Sequence, residues 1–147
     1  MNRFITIIYD DYADRKRPQK FVLNYLEHTR KWLKRRGLPV AYLYTLENGK
    51  IHGIHVHVLL HIPTGKQVEY KQAMANWLPF KVARPNVVFK SIQYPLYGDL
   101  SPLHSVYGTL RYMSKAINPT TRLNGIKPIY QGKIMGRRWG MSNLLKS

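Results

Sequence analysis

His55 and His57 stand two residues apart in the run ENGKIHGIHVHVLLHIP, residues 47–63, which carries four of the six histidines of the chain. In a β-strand residues two apart share a face. Gly53, His55, His57, Leu59 and His61 therefore point one way, and Ile54, Val56, Val58, Leu60 and Ile62 the other. One face is an unbroken aliphatic ridge fit for a core, and the other presents imidazoles. The Cα atoms of His55 and His57 would lie roughly 6.7 Å apart, which lets both rings converge on one cation. A lone strand histidine is ordinarily a satisfied surface or core residue. The pair, with His52 and His61 close by and Glu47 just upstream, points instead to a metal site built on a sheet.

A second group lies late in the chain. Leu103, Val106, Leu110, Met113 and Ile117 repeat at alternating spacings of three and four, which makes one apolar helical stripe. Tyr112 falls about 200° around the helix from Leu110, so it is expected to point away from the stripe. Lys115 follows one turn on, on the same side. Gly108, a turn earlier, is expected to leave open space beside the Tyr112 ring. A phenol off the core stripe with a lysine beside it suits nucleophilic chemistry; an exposed tyrosine with a solvated lysine is the plainer alternative. Tyr107 borders the stripe and reads as packing.

The elements that must position these residues follow from periodicity. Arg3 to Tyr9 is a β-branched and aromatic run that predicts a central strand. Asp10 to Arg17 is a polar connection, and Pro18 fits the first position of a helix. Phe21, Val22, Tyr25, Leu26, Thr29, Trp32 and Leu33 then recur at helical spacing up to a basic C-terminus and a Gly37 cap. Val40 to Leu46 is a second strand, and Asn48-Gly49 predicts a tight hairpin into the histidine strand. That two-residue turn would pair Glu47 with Lys50 and Tyr42 with His55, leaving Glu47 on the aliphatic face. For Glu47 to reach a metal the loop must be longer or bulged, which Gly53 permits. A short helix over about 68–77, a strand over 86–92, a Pro- and Gly-punctuated loop over 93–100 and a helix over about 101–117 complete the core.

Composition narrows the partners. There are 147 residues, enough for one domain that buries about 70% of its unfolded surface. The 24 Lys and Arg against 7 Asp and Glu give a formal charge of +17, which calls for a polyanion. Eleven tyrosines and three tryptophans lie among the basic residues, a mixture suited to stacking on unpaired bases. The absence of cysteine excludes disulfides and thiolate metal sites and fits a reducing, cytoplasmic setting. No apolar run nears the length of a membrane span and no signal peptide is apparent, so the expectation is a protein that is neither exported nor membrane-bound. No phosphate loop of the GxxxxGK[ST] type occurs. Residues 119–147 are rich in Lys, Arg and Gly and read either as a basic flap or edge strand that holds nucleic acid or as a partly disordered tail.

FITIIY at 4–9, HVH at 55–57 and YMSK at 112–115 together resemble the three motifs of the HUH endonucleases, in particular the replication initiator (Rep) proteins of rolling-circle plasmids and single-stranded DNA phages. The likeness spans about residues 3–118, and YQGKIMGRRWGMSNLL at 130–145 also resembles the end of bacterial members. It implies an α+β fold, a five-stranded antiparallel sheet flanked by helices, in a single domain over residues 1–147. It also implies a divalent cation, magnesium or manganese, held by His55, His57 and a third polar residue. Glu47 is the best match for that third ligand, with His52 or His61 in reserve. Tyr112 would be the nucleophile and Lys115 the basic residue of the third motif, giving a 5′-phosphotyrosyl intermediate on single-stranded DNA from an origin or hairpin.

Arg111, Lys133, Arg137, Arg138 and Trp139 are the expected DNA contacts, and a host helicase would act in trans. Tyr107 and Tyr112 are five residues apart, which points to a single-tyrosine enzyme. A single-tyrosine transposase or relaxase-like strand transferase shares this chemistry, although Ala116 stands where such transposases generally have glutamine. A non-catalytic basic nucleic-acid-binding domain is the reading of another class.

Overall fold

The computed structural model describes residues 1–8, 18–78, 87–92, 106–114, 132, 134 and 137–145. The expected connection over 10–17, the loop over 93–100, both ends of the last predicted helix, Lys115 and Lys133 lie outside them. Eight regular elements are described: β1 (Arg3–Ile8), α1 (Pro18–Lys34), β2 (Tyr42–Gly49), β3 (Gly53–Leu60), α2 (Gln67–Trp77), β4 (Val87–Ser91), α3 (Val106–Ser114) and β5 (Trp139–Met141). A 3-10 turn over Asn143–Leu145 follows. The strands form one antiparallel sheet in the order β4-β1-β3-β2-β5, so the fold is α+β with the histidine strand at its centre. Among the described residues no helix is long and apolar enough to cross a membrane.

Alternation along β3 divides the molecule into two layers of packing. Ile54, Val56, Val58 and Leu60 join Ile5, Ile7, Tyr44 and Leu46 under α1 and α2, in the larger of two buried clusters. On the opposite face Phe4, Leu59, Ile92 and Met113 make a smaller cluster, flanked by Leu43, Leu110 and Tyr112, so α3 covers the histidine face. The positions of α1 expected to face the core, Val22, Tyr25, Leu26, Thr29, Trp32 and Leu33, are all buried. Its end is a Schellman cap. Gly37 lies at φ 64, its N–H donates to the Lys34 carbonyl, and Leu38 N–H reaches back to the Leu33 carbonyl. In the larger cluster the Tyr70 hydroxyl meets those of Tyr25 and Thr29 at 2.8 and 2.9 Å, which satisfies three polar groups away from water.

The β2–β3 hairpin departs from expectation. Asn48 and Gly49 belong to the strand, where they pair with Ile54 and Gly53, and Lys50, Ile51 and His52 form the loop. Gly53, at φ 56, closes this three-residue connection in the left-handed conformation. Gly49 serves space rather than turning, since a Cβ there would stand 3.3 Å from Cε1 of His55. The register puts Glu47 opposite His55 and Tyr42 opposite Leu60. Relative to the two-residue turn it is displaced by an odd number of positions, and that carries Glu47 from the aliphatic face to the histidine face.

Gly53→Ala should destabilise the protein by about 1–2 kcal/mol, because a Cβ is strained at positive φ. Urea unfolding of the two proteins measures it, and an unchanged midpoint would show that the loop does not depend on that conformation.

Candidate metal centre

Two cross-strand rows build the site. In one, His55 of β3 lies between Ile8 of β1 and Glu47 of β2; in the next, His57 lies between Thr6 and Thr45. Antiparallel partners share a face, so Glu47, His55 and His57 converge. Nε2 of His55 is 3.6 Å from one Glu47 carboxylate oxygen, and Nε2 of His57 is 3.6 Å from the other. The ligand atoms of the three residues lie within 4.8 Å of one another, and all three residues are buried. Separations of 3.6 Å are longer than hydrogen bonds and close to the edge of a coordination polyhedron with bonds of roughly 2.1 Å.

The far side of each imidazole is already engaged. Nδ1 of His55 donates to the Gly53 carbonyl at 2.9 Å, which leaves a lone pair on Nε2 facing Glu47. Nδ1 of His57 and the Thr6 hydroxyl are 2.8 Å apart, and when Thr6 accepts, the Nε2 lone pair of His57 faces Glu47 as well. Partners of this kind set tautomer and ring orientation in metal-binding histidines. Phe4 stacks on His57 with centroids 5.1 Å apart and fixes its plane, while the His55 ring stands edge-on at 4.9 Å. Two neutral imidazoles and a carboxylate suit a divalent cation, and three protein ligands leave further coordination positions for water or substrate. The residues fit the group.

The two reserve ligands are not members of this cluster. His52 sits in the exposed hairpin loop, its ring 6.2 Å from that of His55. His61 lies beyond the other end of β3, where burial first, then the charge of the N-terminal amine, lowers its pKa.

Tyr112 is carried to the site by α3. Its ring stands edge-on to His57 at 5.2 Å and to Phe4 at 6.2 Å. The ring therefore borders the apolar stripe instead of pointing away from it. The buried side of α3 is wider than the stripe, because Gly108 and Thr109 are buried along with Met113. Thr109 is one turn from Tyr112, so the phenol ring is half-buried on the sheet side and Gly108 opens no space to solvent there.

Of the expected DNA contacts, Arg111 is exposed on α3 and Arg137 is exposed just before β5. Trp139, 40% exposed, pairs with Thr45. Arg138 is half-buried, and its guanidinium donates to the Gly132 carbonyl at 2.6 Å. Trp139–Met141 is thus an edge strand, in line with that reading of the basic segment. Sequence reasoning missed Phe4 and Thr6. Thr6, the only polar residue between Phe4 and Ile8, was the available signal, and its meaning depended on knowing which strand β1 pairs with.

A family model described as a replication-associated protein of the ORF2 type matches residues 2–98. The matched segment contains Thr6, Glu47, His55 and His57 and ends before α3. No curated protein and no solved structure matches the chain.

Manganese should bind the purified protein and raise its melting temperature. Thr6→Val should weaken that binding about 10–100-fold by freeing the His57 ring, whereas Thr6→Ser should retain it. Calorimetric titration reads both constants, and equal affinity in Thr6→Val would remove Thr6 from the site.

Proposed function

The chain belongs to the replication-associated protein family of the ORF2 type, and on that premise we propose that it nicks and rejoins single-stranded DNA to initiate rolling-circle replication of a plasmid or phage. The observation that carries this reading is the meeting of Tyr112 with His57, a phenol from a late helix against a Glu-His-His cluster on the central strands.

In this reading Glu47, His55 and His57 hold magnesium or manganese, which when bound supplies Lewis-acid polarisation of a phosphate oxygen. The chain's own groups do the rest. Gly53 and Thr6 keep both imidazoles facing Glu47, and Phe4 holds the plane of His57. The Tyr112 hydroxyl attacks phosphorus in line, a Tyr112 O–P bond forms, the bond to the 3′ oxygen breaks, and the proton passes to solvent as the leaving oxygen takes one up. The product is a 5′-phosphotyrosyl link and a free 3′-hydroxyl. That link retains the phosphodiester energy, so attack by a 3′-hydroxyl reseals the strand without ATP. Lys115 supplies positive charge beside the phenol. Arg111, Lys133, Arg137, Arg138 and Trp139 hold the strand, and a host helicase acts in trans.

Incubation with manganese and single-stranded oligonucleotides tiling the element's own origin should yield a covalent adduct on a denaturing gel, and Tyr112→Phe should abolish it while leaving DNA binding intact. Adduct persisting in Tyr112→Phe would assign the nucleophile elsewhere. Absence of adduct across the whole panel, with binding retained, would leave a non-catalytic binding domain.

A further inference from the structure

Away from the histidines, a groove runs along the seam between α1 and the β2–β5 edge of the sheet. One half is lined by Leu23, Tyr42, Tyr44, Arg137 and Trp139. The other half continues it through Tyr42 and Met141 to Arg30, Lys34 and Leu144. Three large apolar side chains stand exposed along this seam: Leu23 at 57%, Trp139 at 40% and Leu144 at 56%. Among the described residues no carboxylate lines either half. Cations stand on both walls, Arg30 and Lys34 from the helix and Arg137 from the strand side, Arg30 being held in place by Glu27 at 2.6 Å. Tyr44 is packed against Gly140, where a Cβ would come within 2.6 Å of its ring, so the floor of the groove is firmly seated.

Exposed indole, phenol and leucine surface between rows of cations matches one chemistry above others. Bases stack on the aromatic and apolar groups, and the phosphates between them meet the cations. A protein partner would need acidic groups spaced to the same cations and would leave the open Trp139 ring unexplained. The groove is also reachable from the centre. Trp139 pairs with Thr45, and Thr45 with His57, so this tryptophan of the edge strand shares the register row of a metal-binding imidazole while lining the groove. The lip of the groove lies two strand spacings, roughly 10 Å, from that imidazole.

We propose that this groove binds the single-stranded DNA that flanks the nick, the strand leaving the histidine face over the β5 edge and lying along α1. The direction of the strand rests on the nicking reading; the affinity of the groove does not. Leu23 and Lys34, on the outer surface of α1, become binding residues that no motif of the sequence marks.

The test is a fluorescence-anisotropy titration of labelled oligothymidine with wild type and Leu23→Glu/Lys34→Glu, across a series of salt concentrations. The double variant should bind about ten-fold more weakly, with a salt slope shallower by about 0.7 for each phosphate left unneutralised. Its thermal melt should match wild type, since both side chains are exposed; if it does not, the single Lys34→Glu variant carries the comparison, with a smaller loss and the same change of slope. Equal affinity and slope in the folded variant would overturn the proposal. Unchanged DNA affinity with an altered mass by light scattering would overturn it in favour of an interface between copies of the chain. Wild-type adduct formation is scored separately: its absence would sink the nicking reading while the titration still decides the groove.

Discussion

Successive residues of a strand face opposite sides of a sheet, so the register of the β2–β3 ladder decides which side Glu47 serves. With Lys50, Ile51 and His52 as the loop, Glu47 stands opposite His55 and the carboxylate joins the two imidazoles. A loop changed by one residue would leave the imidazoles facing Leu46 or Asn48 in its place. The positive φ of Gly53 that closes the loop therefore governs the composition of the site, and its carbonyl also orients His55. Backbone geometry and ligand geometry are set by one residue.

The centre carries an intrinsic cost in stability. Glu47, His55 and His57 are only 2%, 6% and 4% exposed, and a buried carboxylate stabilises the fold only when charge or hydrogen bonds compensate its lost hydration. The surroundings offset this cost. The main apolar cluster lies on the other face, under α1 and α2, so the fold does not depend on the histidine face for its core. The smaller cluster of Phe4, Leu59, Ile92 and Met113 then has a narrower task, seating α3 so that Tyr112 meets His57.

Much of this was legible in the sequence because the patterns were long. The α1 stripe and Gly37 cap, the aliphatic ridge of β3 and the placing of His55 with His57 on one face all follow from periodicity alone. Asn48-Gly49 misleads because a dipeptide of strong turn propensity competes with Gly53, which better closes the ladder. Thr6 is illegible for a different reason. A hydroxyl in an apolar strand acquires meaning from the neighbouring strand, and strand order is a tertiary fact. Tyr112 is found by its place in the motif, yet its orientation is not, because Thr109 reads as polar and nevertheless packs inside. The groove along α1 is hidden for the same reason as Thr6: Leu23 and Trp139 are far apart in sequence, and each reads alone as an ordinary surface residue.

The sheet order also grades its strands by how firmly they are held. The three donors ride on β2 and β3, each paired on both sides, while among the described residues β5 clips onto β2 through Leu43 with Met141, Tyr44 with Gly140 and Thr45 with Trp139. Local opening starts where the fewest bonds must break, so fraying begins at this short latch and the paired interior stays closed. A polynucleotide can then be threaded or let go at the rim of the sheet without the ligand cage having to come apart at each turnover.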